Sequence, residues 1–320
     1  MADKAKLTFL GTGTSQGVPI IGCKCAVCRS TDTRDKRFRS SAYIEYCGLN
    51  ILVDAGPDFR MQMLAHGLCH LDAILLTHNH KDHTGGLDDV RSLNYIDKSV
   101  TEIYCERNVL EDLIREYPYV FKFPKYPGAP EWHIHVIGEE PFLVRPVDQA
   151  KELVWVHDIG YGYKLPDGAV VPTSRSLDDM IDDAERARPE QPEVPPAGTV
   201  GAEIVPIRGY HDWLPVLGFR FGDIAYLTDM SSIPESEFGK LKGLKHVTLN
   251  TVGYKQHHSH FSLYEAIDMA DRIGATHTWL THLSHTFPVH EQFTRDLERL
   301  CAERNVRSIV RPAYDGLVLE

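Results

Sequence analysis

Residues 75–87 read LLTHNHKDHTGGL, and the spacing inside this stretch decides how the rest of the chain is read. An apolar run ends at Thr77, and His78, His80, Asp82 and His83 follow at once. Side chains just beyond a strand end can project from one tight loop toward a common point. His78 and His80 are two apart, so in extended backbone they face the same way. Asp82 and His83 then reach around the turn. Three imidazoles and one carboxylate form a borderline-hard donor set suited to zinc, manganese or iron. Gly85 and Gly86 let the backbone fold closely against the loop. The plain alternative is a solvated loop that happens to be rich in histidine. Four potential ligands within six residues, directly after a buried strand, weigh against it.

Strand-like and helix-like segments alternate on both sides of this loop. Residues 6–10 read as a strand, and residues 42–54 as a hairpin turning near Gly48. A short helix starts at Pro57 and ends at Gly67, residues 72–77 form a buried strand, and a helix is expected over 86–97. A strand at 101–105 and a helix at 107–117 follow. The middle is less regular, with an acidic, Pro-rich stretch at 174–200. Strands resume at 202–209, 216–222, 223–229, 246–250 and 276–282. Ser262 and Glu265 form a capping box at the head of a helix over 262–274. A helix at 290–304 and a closing hairpin around Asp315–Gly316 complete the pattern. This order suits an α/β fold of two β-sheets packed together with helices outside. Metal-type residues lie on both sides of the middle stretch, so the chain reads as one domain, 1–320, with an insertion at about 150–200.

The formal net charge of −11 disfavours a nonspecific grip on bulk nucleic acid, but metals or local cations could still hold a small anion. No apolar run is long enough to span a membrane, and the start has no signal-peptide core, so a cytoplasmic location is expected. Of the seven cysteines only Cys23, Cys25 and Cys28 cluster; the scattered ones read as small buried apolar residues. Three thiols are one ligand short of a closed structural zinc site.

The His-x-His-x-Asp-His string, FLGTGTSQG at 9–17, VDAG at 53–56 and TWLTH at 278–282 resemble the metallo-β-lactamase superfamily over most of the chain. The resemblance implies an αββα sandwich: two mixed β-sheets packed face to face, helices outside, and a two-metal hydrolytic centre. It implies that His78, His80 and His211 bind one divalent ion and that Asp82, His83 and His282 bind the other. Asp229 would bridge the two, and Asp54 would accept a hydrogen bond from a ligand histidine and orient it. His157 in VWVHD competes with His211, but the spacing to Asp229 favours His211.

Within the superfamily the chain is most similar to the PhnP-type phosphodiesterases. These carry an early Cys-x-Cys-x-x-Cys and a second histidine three residues beyond the last metal-binding one. Cys23, Cys25, Cys28 and His285 match that pattern, which implies a closed structural zinc site. The activity implied is hydrolysis of a small phosphodiester, linear or cyclic, by a metal-bridging hydroxide. Two divalent catalytic ions are expected, zinc or manganese with iron or nickel as further options, together with one structural zinc. Asp82 and His260 are the candidate catalytic residues. His260, beside a helix start, would protonate the leaving alkoxide, with His258 as second choice. One alternative is an RNA-processing nuclease of the tRNA 3′-end type, against which the acidic extra segment counts. Others are the related protein of pyrroloquinoline quinone biosynthesis, which typically lacks the intact string, and a non-catalytic zinc scaffold. The expected partner is a small anionic phosphodiester; no membrane partner is expected, and a homodimer is left open.

Overall fold

The computed structural model describes residues 4–122, 125–147, 152–156, 160–165, 168–173 and 201–320. His157 and residues 174–200 of the expected insertion lie outside the described residues.

The strands are β1 (Lys6–Gly11), β2 (Ser41–Tyr46), β3 (Leu49–Val53), β4 (Ala73–Leu75), β5 (Thr101–Cys105), β6 (Trp132–Val136), β7 (Phe142–Val144), β8 (Glu152–Val156), β9 (Gly160–Lys164), β10 (Val170–Pro172), β11 (Ala202–His211), β12 (Leu214–Phe221), β13 (Ile224–Tyr226), β14 (His246–Asn250), β15 (His277–Thr281), β16 (Ile309–Pro312) and β17 (Val318–Leu319). Among the described residues they form two seven-stranded sheets, ordered β17-β1-β2-β3-β4-β5-β6 and β16-β15-β14-β13-β12-β11-β7, and a small sheet ordered β10-β9-β8. Each large sheet is antiparallel on one side and parallel on the other, where helical crossovers link β3 to β4 and β14 to β15.

Period-two alternation makes the layers. Leu7, Phe9, Ile44, Ile51 and Val53 of the first sheet share one core with Leu217, Phe219, Phe221 and Tyr226 of the second. Leu52 and Ile74 face the other way and pack with Phe59, Met63, Val109 and Leu113 of helices Phe59–His66 and Arg107–Glu116. On the far side, Val247, Leu249 and Leu280 pack with Ala266 and Ile267 of helix Leu263–Ile273 and with Phe293 and Leu297 of helix His290–Glu303. Each fully buried large apolar side chain contributes about 1.5–3 kcal/mol. The αββα sandwich of two mixed sheets, helices outside, is therefore the observed architecture.

Four local expectations change. The helix expected from Pro57 starts at Phe59, with Gly67 ending it in left-handed backbone at φ 63°. The helix expected over 86–97 is a 3-10 turn, Leu87–Val90, followed by an α-helix, Arg91–Asp97. The irregular middle contains the small antiparallel sheet, whose Leu153 and Tyr161 pack on Val100. The closing hairpin does not form: β16 pairs with β15 in the second sheet and β17 with β1 in the first. Its physical reason is a buried polar network across the sandwich. Arg37 Nη1 donates to the Ala313 carbonyl (2.6 Å) and to Thr12 Oγ1 (2.8 Å). Asp315 accepts from Thr12 Oγ1 (2.7 Å) and from the Phe38 amide (2.6 Å). These bonds hold the last turn against the N-terminal segment, so the chain crosses between sheets.

Glycines allow the metal-type loop to press onto the strand ends. A Cβ on Gly56 would lie 2.0 Å from the Asp82 carbonyl oxygen, and one on Gly86 2.0 Å from the Gly56 carbonyl oxygen. Both contacts are with backbone, so relief requires moving the loop itself. Gly86→Ala is expected to lower stability by about 1–3 kcal/mol or more, read as a shifted urea midpoint. An unchanged midpoint contradicts this packing.

Candidate metal centre

Strand ends deliver the side chains. Asp54 follows β3, His78 to His83 follow β4, His211 ends β11, Asp229 follows β13 and His282 follows β15. His260 comes just before helix Leu263–Ile273, whose Ser262–Glu265 capping box forms as expected. Asp54, Asp229 and His282 have φ of 64°, 57° and 56°, in the left-handed region. Non-glycine residues there cost about 1–3 kcal/mol each. Backbone and side-chain bonds enforce the turns: Asn250 Oδ1 accepts from the Met230 amide (2.8 Å) while its Nδ2 donates to the Met230 carbonyl (2.9 Å). The Leu283 amide donates to the Thr12 carbonyl (2.8 Å), and the Ala55 amide to the His83 carbonyl (2.8 Å).

Asp229 is the focus. His83 Nε2 lies 3.3 Å and His282 Nδ1 3.2 Å from its Oδ2, and His260 Nδ1 3.8 Å from its Oδ1. Asp82 Oδ2 is 3.4 Å from His83 Nε2. Three compact donor groups share Asp229: with His78 and His83, with Asp82 and His282, and with His211 and His260. His80 joins through its neighbours, its ring centroid 4.6 Å from that of His78 and 5.0 Å from that of His211. The structure thus gathers every residue expected of the two-metal set. Asp54 Oδ2 accepts from His83 Nδ1 at 2.7 Å, and Asp54 is itself held by the Thr77 amide (2.9 Å) and Thr77 Oγ1 (2.9 Å). That pins the His83 ring so that Nε2 faces Asp82 and Asp229.

His260 lies in the group, its ring 4.5 Å from that of His211 and 4.8 Å from that of His282. His258 is exposed and stacks on His257 instead. Two contributing residues carry no signal in the sequence. Ser40 Oγ donates to the Gly13 carbonyl (3.1 Å) and lies 3.1 Å from His282 Nδ1. Thr228 Oγ1 donates to Asp229 Oδ2 (2.6 Å). Gly13, bridged to both Arg39 and Leu283, brings Ser40 beside His282.

Nε2 of His78 and His83 and Nδ1 of His211 and His260 are buried without a hydrogen-bond partner among the described residues. Buried polar atoms are ordinarily paired. Those of His78, His83 and His211 converge with the Asp229 carboxylate into the donor set a divalent ion needs, and His260 Nδ1 stands beside it, 3.8 Å from Asp229 Oδ1. Burial pushes the pKa of His78, His211 and His282 down and that of His260 to about 3, keeping their lone pairs free. Burial opposes charge on His83 too, but Asp229, Asp54 and Asp82 outweigh it and raise its pKa well above the usual range. Burial likewise works against the Asp229 carboxylate, yet His282 and His83 hold its pKa well below the usual range. Asp82 and Asp229, both on the Nε2 side of His83, therefore make a field that retains a cation, and a metal would displace the His83 proton.

The thiol group is a second, separate site. Sγ of Cys23, Cys25 and Cys28 lie 3.2, 3.6 and 3.6 Å from His285 Nδ1. Zinc–sulfur and zinc–nitrogen bonds of about 2.3 and 2.0 Å in a tetrahedron require a separation of about 3.5 Å, so the four side chains are spaced for one ion. The segment is not wholly a loop: Ala26–Arg29 forms one helical turn because Cys25 Sγ accepts from the Cys28 amide. That bond is the main cause of the lowered Cys25 pKa, about 6. His282 and His285 share one short segment, so the thiol group and the Asp229 centre are joined by a single stretch of backbone.

A family model described as a beta-lactamase superfamily domain matches residues 49–153 and 167–283. An octanoyltransferase from Porphyromonas gingivalis is 35% identical over 97% of this chain and 50% of its own length. This chain spans half or less of the curated relatives it matches. A crystal structure of a diphosphatase from the PhnP family is 31% identical, covers 99% of this chain and 98% of its own, and superposes with a TM-score of 0.71. Zinc-bound PqqB from Methylobacterium extorquens, 15% identical over 98% of this chain and 99% of its own, shares the fold with a TM-score of 0.63.

Two substitutions test these sites. Cys25→Ser should lose about one equivalent of tightly held zinc by elemental analysis; an unchanged content removes the thiol site. Asp54→Asn, which leaves His83 without its anionic acceptor, should weaken metal binding at the Asp229 centre about 10–100-fold. Equal affinity in competition with a chelator contradicts the orienting role.

Proposed function

We propose, since this chain belongs to the beta-lactamase superfamily and is a metal-dependent hydrolase, that its substrate is a small anionic phosphodiester, linear or cyclic. The observation that carries this reading is the convergence of His78, Asp82, His83, His211 and His282 on the Asp229 carboxylate, with the His80 ring against His78 and His211 and the His260 ring against His211 and His282. The full-length likeness to a PhnP-family diphosphatase supports phosphoryl chemistry.

His78, His80 and His211 would hold one divalent ion, Asp82, His83 and His282 another, with Asp229 between them. Two such ions supply Lewis-acid charge for phosphoryl oxygens and acidity for the attacking water. The chain's own residues do the rest. Asp54, Thr77 and Ser40 fix the orientation of His83 and His282. Burial of His78 and Thr77 keeps solvent off the back of the centre. His260, on the side of His211 and His282, delivers a proton to the leaving oxygen. Burial keeps it neutral in the free centre; an arriving anion favours its charged form, so it would take up a proton from solvent as substrate binds, give it to the leaving oxygen and return to the neutral form. The Cys23, Cys25, Cys28 and His285 group acts as a staple for the segment carrying His282.

The formal net charge of −11 suits a small substrate better than bulk nucleic acid. Among the described residues no helix is long and apolar enough to cross a membrane. A zinc staple built on thiols fits a reducing compartment, and we place the protein in the cytoplasm. Hydrolysis of an octanoyl ester or thioester is the second reading, suggested by the octanoyltransferase relative, of which this chain covers half the length.

A panel of bis-aryl phosphates, cyclic nucleotides, cyclic ribose phosphates and an octanoyl thioester separates the two readings. Turnover of the phosphodiesters is expected; turnover of the thioester alone overturns it. His80→Ala should abolish the activity, and His260→Ala should lower kcat about 10²–10⁴-fold with metal content unchanged. Full activity in His80→Ala contradicts the centre, and full activity in His260→Ala removes the proton donor.

A further inference from the structure

Five groups of metal-type side chains occur among the described residues; three share Asp229, one is the thiol group, and the fifth is Glu102, His133 and His135. We propose that this fifth group binds one exchangeable divalent transition-metal ion through Glu102 Oε2, His133 Nδ1 and His135 Nε2, independently of the hydrolytic centre.

The sheet makes the arrangement. β5 and β6 are parallel, with Glu102 opposite His133 and Tyr104 opposite His135. His133 and His135 are two apart, so they share one face of β6, the terminal strand of its sheet. Glu102 Oε2 lies 2.8 Å from His133 Nδ1 and 2.6 Å from His135 Nε2. One oxygen thus gathers both imidazoles, and the ring centroids are 4.5 Å apart. The His135 ring is fixed in advance: it stacks on Tyr104 at 4.3 Å and 9°, and Tyr104 stacks on Phe142 at 5.2 Å and 18°.

Metal–nitrogen and metal–oxygen bonds of about 2.0–2.2 Å set donor atoms about 3.4 Å apart in a tetrahedron. Each pair therefore opens by roughly 0.6–0.8 Å to admit an ion, and the Glu102 carboxylate, whose one oxygen touches both imidazoles, is the group that draws back. Two imidazoles and one carboxylate favour nickel, copper or zinc over manganese. Three protein donors leave coordination positions to solvent, so the ion exchanges, unlike one enclosed by three thiolates and an imidazole.

The probe is nickel, added to the zinc-loaded protein. By equilibrium dialysis the wild type should take up one more equivalent than His133→Gln or His135→Gln, with hydrolytic turnover equal in all three. Glu102→Gln should bind nickel at least about 10-fold more weakly. In unmutated protein, nickel should protect His133 from carbethoxylation, read by mass spectrometry. Equal nickel uptake by wild type and both histidine variants, or equal modification of His133 with and without nickel, overturns the site and leaves Glu102 as a bridge between two imidazoles.

Discussion

The Asp229 carboxylate is 2% exposed, and the histidine nitrogens that face it have few other partners. Taking an ionised carboxylate out of water costs several kcal/mol unless opposite charge and hydrogen bonds replace the solvent. In this fold the replacement is assembled from distant segments, so the whole sandwich is needed to satisfy one side chain. The first sheet supplies the His78–His83 loop and Asp54; the second supplies His211, Asp229 and His282. The two sheets must therefore stack in one register for the centre to exist, and the core of Leu7, Phe9, Phe219 and Tyr226 fixes that stacking. Left-handed backbone at Asp54, Asp229 and His282 is the local cost of turning carboxylates and imidazoles off strand ends toward a common point.

The N-terminal segment works as a clamp on the same construction. Residues 12–40 touch the C-terminal turn through Arg37, Thr12 and Phe38, touch His282 through Ser40, and touch His285 through the three thiols. Asp35 Oδ1 also accepts from the His290 amide at 2.8 Å, at the start of the last long helix. The stretch thereby binds the far end of the chain by polar contacts, together with a small apolar cluster of Val18, Val27 and Val289. The thiol group belongs to this clamp, its His285 three residues from His282.

Much of this was legible in the sequence because the chemistry sits where an apolar run stops. Thr77 followed by four donors, the run into Asp229 and TWLTH before His282 each mark a strand end by the change from apolar to polar residues. The capping box at Ser262 was legible for the same local reason. The closing hairpin was misread because Asp315–Gly316 looks like a tight turn, whereas long-range bonds from Arg37 and Thr12 decide its course. The small sheet has little signal in the sequence because every second residue at the start of GYGYK is glycine, which disfavours a strand. His133 and His135 were overlooked because their partner, Glu102, is adjacent only through strand pairing, which periodicity within one segment does not reveal. Ser40 escaped for that reason too.

The ions themselves are the most direct test. Crystals of the purified protein, measured with anomalous scattering on both sides of the zinc and manganese edges, should show two ions about 3.5–4 Å apart, flanking the Asp229 carboxylate and ligated by His78, His80, His211, Asp82, His83 and His282. A single ion at the centre, or ions that do not touch Asp229, contradicts the proposal of a two-metal hydrolase built around that carboxylate.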